Sequence, residues 1–559
     1  MTIINPLPYN IANGQAVDAV PVMADLNAIV NNVNANAVAS ASLAASGGAG
    51  LVGYSQGASG SVSRTVAAKL QESVSVLDFG ADPTGVADST AAIQAAVTTL
   101  GASGGTVYFP PGIYKAGGIT LSTYNNIRFL GAHQGNTSAG GVRIVPNSAT
   151  ATVFSVQNLS GIWFEKLAFV ANTQMTAGSF VSFTGCNDCG ITDYYMQGGF
   201  DPIVINGVGT GFWMQRGQIR NFNGYGVTVE GGAGDVYIDA LIMDQDNSTY
   251  TPQAGIYTPS CGGSLNITNS DILHCHYGFW ANPGNGQFVD WVYMSNVFFD
   301  SADFATGGTG GGNGIRITPN NGGIFSGGSL VNVWTSTATV GIYAVGDAGS
   351  QLSGLQLTNW VALNNWQQAA YLDYCDHVSI ANMTVAGNGK ETANTYPGIY
   401  IGQHNGYDVP GATSVAASYT LVGGAIGSPL EGYTNTQNYA IQLASGFAGY
   451  INVSEVDMIG NQTGSVLATG ANPASGSEIR GCRGYNPVGT NLVTVGTSPF
   501  SYTAGLTPES VNLYGGAGVV STVNGVALAN TSPAAFVLQP LQNVSISYTS
   551  VPTMAVNKA

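Results

Sequence analysis

Between residues 236 and 388 one short phrase keeps returning in altered wording. It reads VYIDALIMDQDN (236–247), LNITNSDILHCH (265–276), VYMSNVFFDSAD (292–303), LVNVWTS (330–336), LQLTNWVALNN (355–365) and VSIANMTVAGN (378–388). Each version alternates apolar and polar residues around a pivot: Ala240, then Asn269, Asn296, Asn332, Asn359 and Asn382. Successive pivots stand 29, 27, 36, 27 and 23 residues apart. A second short strand closes most units, in AGIYT, GFWAN, GIRIT, VGIYA, AAYLD and PGIYI. A strand–turn–strand unit of this length cannot bury its apolar face alone, so its repetition predicts stacked coils, a parallel β-solenoid. An Asn at each corner suits this arrangement. It tolerates left-handed backbone geometry, and its amide can bond to the backbone of the next coil. Separate antiparallel hairpins would need Asn-Gly-type turns, and few are present.

Composition agrees with short strands and excludes several functions. The 559 residues include 79 glycines, and only 8% are charged, against about 25% in an ordinary soluble domain. A globular helical protein or a helical array would not tolerate so much glycine. The formal charge of −16 argues against a nucleic-acid partner, which requires clustered Lys and Arg. A carbohydrate, or a neutral or cationic partner, suits the chain better. No apolar run approaches the ~18 residues of a membrane span, so no membrane insertion is expected. The first residues lack the basic and apolar regions of a secretory signal. Cys186 and Cys189 form a lone C-x-x-C among six cysteines. Buried free thiols are expected, with no disulfide framework, no metal and no cofactor.

Four regions follow along the chain. In residues 1–45, Leu26, Ile29, Val33 and Asn36 step by three and four, with Val38 two residues on, giving a helix with a narrow apolar stripe. Such a stripe suits a self-associating coil, a socket on another protein, or a helix leaning on its own chain. Residues 46–72 are a Gly/Ser-rich linker and neck with a short ordered patch around Leu51 to Tyr54. The main body, 73–484, opens with SVSVLDFGADPTGVADSTAAIQAAV and then GGTVYFPPGIY. A strand is predicted over Val74 to Phe79. A helix follows, capped by Asp88-Ser89-Thr90, carrying Ala92, Ile93, Ala96, Val97 and Leu100 on one face and stopped by Gly104-Gly105. A second strand, Thr106 to Phe109, precedes the Pro110-Pro111-Gly112 corner. Residues 485–559, with proline at strand edges and clean alternation, read as a small antiparallel β-domain that caps the last coil.

The two opening stretches resemble the start of the pectate-lyase-like right-handed parallel β-helix superfamily. GASGSVSRTVAAKLQESVSVLDFGA resembles the junction between anchoring segment and helix in bacteriophage tailspikes, and LPYNIANGQAVDAVPVMADLNAIVNNVNANA is similar to the N-termini of phage tail fibres and spikes. The close resemblance covers roughly the first fifth of the chain. It implies an all-β homotrimeric spike held by its N-terminus to a phage tail, baseplate or adaptor protein. It also implies a virion component assembled in the host cytoplasm, whose β-helices bind and often cleave a bacterial surface polysaccharide. The low charge agrees, because sugar-binding faces use rings and amides more than ion pairs.

Glycan cleavage on such folds uses paired carboxylates. Superposing the phrase at 236–247 on that at 292–303 puts Asp244 over Asp300 and Asn247 over Asp303, with His274 of the intervening coil one position off the column. Coils stack about 4.8 Å apart, so carboxylates two coils apart are separated by roughly 9.6 Å. That is close to the ~6.5–9.5 Å of inverting glycosidases. Asp244, Asp300 and Asp303 are therefore the candidate catalytic residues, with Asp246, Asp271 and His274 as helpers. A turn-capping role is the alternative for each aspartate, and DQDN only faintly resembles a calcium loop. Trp280, Trp291, Trp334, Trp360 and Trp366 crowd the same coils, where exposed rings could stack on sugars and buried ones would serve the core. Of these, Trp280, Trp334, Trp360 and Trp366, together with Arg220, are the candidate substrate-binding residues. The Asn-Thr-Asp, Asp-Asp and Gly-His-Gly set of the polygalacturonase group is missing, and only Arg220 and Arg316 are basic near the central coils. Hydrolysis is therefore expected ahead of a lyase reaction, with a non-catalytic receptor-binding or structural fibre of the same fold as the alternative.

Overall fold

The computed structural model describes residues 19–36, 40–135, 141–207, 209–245, 252–300, 302, 310–404, 417–427, 430, 432–486 and 489–558. The chain divides into two compact units, Met1–Val74 and Ser75–Ala559.

In the first unit a helix spans Ala19–Asn36. Val20, Met23, Leu26, Ile29, Val30 and Val33 are all exposed on it. Its apolar stripe thus has no cover among the described residues of the unit. The Gly/Ser-rich stretch carries regular elements: Gly53–Tyr54 pairs antiparallel with Arg64–Thr65, and a short helix, Val66–Leu70, follows. Thr65 caps that helix by accepting from the Ala68 amide at 3.0 Å.

The second unit is a parallel β-helix. One 13-stranded parallel sheet climbs from Ile119–Leu121 to Gly464–Leu467, taking one short strand from each coil. A second, larger sheet is built from longer strands such as Val236–Asp244, Leu265–Leu273 and Phe288–Asp300. Each of these bends at its pivot. Ala240, Asn269, Asn296, Asn332, Asn359 and Asn382 all have φ between 49° and 57°. The Asn amides form a ladder as expected, but they bond to one another and not to backbone. Asn296 donates to Asn269 Oδ1 at 3.1 Å, Asn332 to Asn296 at 3.0 Å, and Asn359 to Asn332 at 3.0 Å. The ladder starts at Asp239 Oδ1, which accepts from Asn269 at 2.9 Å. Identical side chains at identical corners stand one coil apart, so each amide meets its neighbour's carbonyl before it meets a peptide.

Inside the bend, alternation puts one column of apolar residues in register through the whole stack. Met214, Ile238, Ile267, Met294, Leu330, Leu357, Ile380, Leu421, Val453 and Ile479 pair successively. All are buried, and each such side chain contributes roughly 1.5–3 kcal/mol by leaving water.

At the base, the helix Thr90–Leu100 buries Ile93, Ala96, Val97 and Leu100. Two sequence expectations shift here. The segment after Ser73–Ser75 is a 3-10 turn, Val76–Phe79, because Ser75 and Asp78 form a capping box across it. The helix ends at Gly101, whose φ of 56° stops it before Gly104. Asp82 organises the loop between them, accepting from the Thr84, Val86 and Ala87 amides at 2.9, 3.0 and 2.7 Å. The DPTG motif is thus a carboxylate-closed loop.

At the other end lie two four-stranded antiparallel sheets, formed by strands from Gly489–Val493 to Thr553–Lys558. They enclose Val511, Leu513, Val519, Val544, Ile546, Met554 and Val556. The Ile479 amide of the last coil donates to the Leu506 carbonyl at 2.6 Å, which occupies part of the terminal strand edge. All six cysteines are free and buried.

Candidate functional site: a carboxylate cluster beyond the Asn corner

The carboxylates sit on the half of each bent strand that follows the pivot. Register fixes their places. Arg220 pairs with Asp244, Met243 pairs with Ile272, and Leu273 pairs with Asp300, so Asp244 and Asp300 share a column with Leu273 between them. Ser336 pairs with Asp300 in the next coil, and its hydroxyl donates to Asp300 Oδ1. Asp271 pairs with Ile242 below and Phe298 above. It lies on the same outward face, two residues before the column of Asp244 and Asp300, and so faces both of them diagonally.

These three carboxylates have different environments. Asp244 is gripped on both sides: Arg220 Nη2 donates to Oδ2 at 2.8 Å, and His274 Nδ1 lies 3.0 Å from Oδ1. Burial opposes its charge, but the hydrogen bonds from Arg220 and His274 outweigh burial and hold its carboxyl below the usual range. At Asp271 burial, and then the charges of Asp300 and Asp244, push the carboxyl above its usual range. The group nearest to being a proton donor therefore stands between two that keep it so. The His274 backbone amide donates to the Asp300 carbonyl at 3.2 Å, which fixes the histidine's left-handed turn, with φ of 57°.

Rings flank this cluster. Phe298 and Trp334 follow Asp271 in its column, with ring centroids 6.2 Å apart. Phe298 and Ile242 are nearly half exposed, at 47% and 48%. A glycan laid along the coil axis could rest on this strip while its linkage lies over the carboxylates.

The remaining candidates scatter. Trp360 is fully buried, and its Nε1 donates to Thr335 Oγ1 at 3.1 Å, so it is a core residue and not a substrate contact. Trp280 stands on the 13-stranded sheet, donating to Thr318 Oγ1 at 3.0 Å. Trp366 lies beyond the strands under Lys390, whose ammonium is 5.3 Å from the ring centre. Trp291 is exposed, with φ of 54°. Asp246 and Asp303, and with them the superposition of Asn247 on Asp303, lie outside the described residues. Sequence reasoning named Asp271 as a helper and did not name Phe298. Strand parity, counted back two residues from the Asp244 column, would have found both.

Such a solenoid, with its opening helix, is a parallel β-helix, and part of it resembles a known family. Residues 73–251 match the family model for rhamnogalacturonase A/epimerase, pectate lyase-like. Mannuronan C5-epimerase AlgE2 of Azotobacter vinelandii is 26% identical over 236 residues, 38% of this chain and 22% of that protein. AlgE5 of the same organism is 30% identical over 162 residues, 27% of this chain and 15% of that one. The chain thus matches under a quarter of the length of these relatives. Among solved structures, the tailspike protein of E. coli bacteriophage HK620 in complex with pentasaccharide superposes with a TM-score of 0.52 at 13% identity, covering 93% of this chain and 99% of that one. A double mutant of the same tailspike gives 0.51 at 14% identity, with 93% and 99% covered. This chain shares the parallel β-helix fold of these structures.

Proposed function

We propose that this protein is a phage tailspike, a homotrimer anchored to the tail through its N-terminal region, that binds and hydrolyses a bacterial surface polysaccharide during host adsorption. The observation that carries the reading is Asp271, a carboxyl raised above its usual range by burial and by two neighbouring carboxylates. The fold supports it too, since a tailspike of this fold has been solved with a pentasaccharide. The exposed apolar stripe of Ala19–Asn36 supports association through the first unit.

In this mechanism Asp271 donates its proton to the glycosidic oxygen as the bond to the anomeric carbon breaks. Asp300 takes a proton from a water molecule, whose oxygen forms the new bond from the opposite face. One strand step and a two-residue offset put Asp271 and Asp300 roughly 8 Å apart at the backbone, within the ~6.5–9.5 Å range that leaves room for water and inverts the anomeric centre. Asp244, held below its usual range, adds to the raising of the Asp271 carboxyl and stabilises positive charge developing on the sugar ring. Asp246 and Asp303 stay candidates as helper and second base. Trp334 and Phe298 carry the flanking sugar rings.

A second reading rests on His274 and Arg220 beside Asp244, together with curated relatives named for action on mannuronan. These groups could serve proton abstraction from a uronate, as in a lyase. Incubation with host surface glycan separates the readings. New reducing ends without unsaturation support hydrolysis, unsaturated uronate ends support the lyase, and binding without any new ends supports a non-catalytic spike.

A further inference from the structure

The 13-stranded sheet carries a feature that the hydrolytic site does not use. Tyr257, Trp280, Arg316, Tyr343, Tyr371 and Tyr400 are successive partners in its register, one from each coil. Tyr257 and Trp280 meet at a tilt with centroids 5.0 Å apart, while Tyr343 and Tyr371, 5.4 Å apart, and Tyr371 and Tyr400, 4.7 Å apart, stack. Tyr225 extends the column, 4.2 Å from Tyr257 and nearly parallel to it. In the middle the Arg316 guanidinium lies 4.8 Å from the Tyr277 ring centre and 4.7 Å from that of Tyr343. Among the described residues no carboxylate pairs with it. Its Nη1 donates to Asn313 Oδ1 at 2.9 Å, and its buried Nε has no partner.

A cation fixed between two rings in a chain of charge −16 is a specific arrangement. Sandwiching holds the guanidinium's plane without neutralising it, so its charge, and the donors that Asn313 does not take, remain for a carboxylate. Acids bound the column on both sides. Glu230 ends the strand three coils before Arg316, and Asp373 ends the strand two coils after it, about 14 Å and 10 Å along the stack. Burial, then Tyr400 and Asp373, push the Tyr371 phenol up to about 12, so that ring stays neutral. Asp373 is met by His404 Nδ1 at 2.8 Å, so Arg316 is, among the described residues, the one strong charge on this register column, and a single attractive point is the wrong pattern for a polymer with a charge on every sugar.

We infer that this face is a glycan-binding platform whose ligand is a heteropolysaccharide with one carboxylate-bearing sugar per repeat, held at Arg316 between neutral sugars that lie against the outer ring edges of Trp280, Tyr343 and Tyr371. The inference concerns recognition, and it stands whether or not the Asp271 cluster cleaves the same glycan.

The test is binding of the full-length protein to a panel of purified bacterial surface glycans, acidic and neutral. Each acidic one is presented both native and carboxyl-reduced, with polymannuronate as the uniformly charged control. The expected result is binding to an acidic heteroglycan that falls at least tenfold on carboxyl reduction and likewise in Arg316→Gln, is partly kept in Arg316→Lys, and exceeds binding to polymannuronate. Carboxyl reduction alters only the ligand, so the conclusion does not depend on the variant folding. Equal binding to the reduced form, preference for neutral glycans or for polymannuronate, no binding to any member, or wild-type binding by a folded Arg316→Gln would each overturn the inference. Reducing ends released from the same glycans report separately on hydrolysis.

Discussion

Asp271 stands diagonally between Asp244 and Asp300, one coil from each, on the outward face of the bent strands. Of the three, it is the carboxyl pushed above its usual range, while Asp244 is held below its own. The raised carboxyl suits the acid and the depressed one suits charge stabilisation, while Asp300 is the proposed base.

That relationship gives a pH prediction. Activity should fall on the alkaline side as Asp271 loses its proton. Asp244→Asn removes one of the charges that hold the proton on Asp271 and frees Arg220, and both changes favour the ionised form. The alkaline limb of kcat/KM should therefore move to lower pH in that variant. An unchanged or higher limb would remove Asp271 from the acid role.

The Asn ladder sets a stability expectation. Asn296→Ala loses the bonds to Asn269 and Asn332 and puts a Cβ-bearing residue without a polar side chain at φ 57°. The left-handed conformation alone costs about 1–2 kcal/mol. Asn296→Gly should lose less stability than Asn296→Ala in denaturant melts, because glycine removes the backbone strain while losing the same hydrogen bonds. Equal losses would mean that the amide ladder, and not the corner geometry, is what matters.

Much of this was legible in the sequence, for a reason visible at the corner. An Asn recurring every coil is fixed by backbone geometry, so its position in the text marks a position in space, and the gapless superposition of Asp244 on Asp300 follows from it. The ladder's partners were misjudged because one coil considered alone offers only peptide groups to its Asn. Trp360 was misread because parity changes across the pivot: Asn359 sits in the turn, and the side chain after it points inward. The Arg316 column was invisible for another reason. Its members come from short closing strands with no pivot to align them, and only the register brings them together.

Trp360 and Trp334 should separate on substitution. Trp360→Ala opens a cavity in a fully buried site and should cost about 3–5 kcal/mol, read as a lower midpoint in denaturant. Trp334→Ala should leave the midpoint nearly unchanged and weaken glycan binding instead.

At the base of the helix, the Asp82 hydrogen bonds to the Thr84 hydroxyl and to the Ala87, Thr84 and Val86 amides hold its carboxyl down to about 2. An unfolded Asp titrates near about 3.9. A carboxyl depressed by folding stabilises the native state above its unfolded pKa, and that contribution is lost as pH falls through the folded value. Asp82→Ala should thus lower Tm at neutral pH, with the gap to wild type narrowing between about pH 4 and pH 2. A gap independent of pH would show that the loop does not depend on the charge.

The most direct test of the central claim is the release of reducing ends from host surface polysaccharide by the wild-type protein and by Asp300→Asn. The account predicts saturated oligosaccharides from wild type, and a rate lower by roughly a thousandfold in the variant, with glycan binding and oligomeric state retained. Undiminished cleavage by Asp300→Asn, or products ending in an unsaturated uronate, would contradict it.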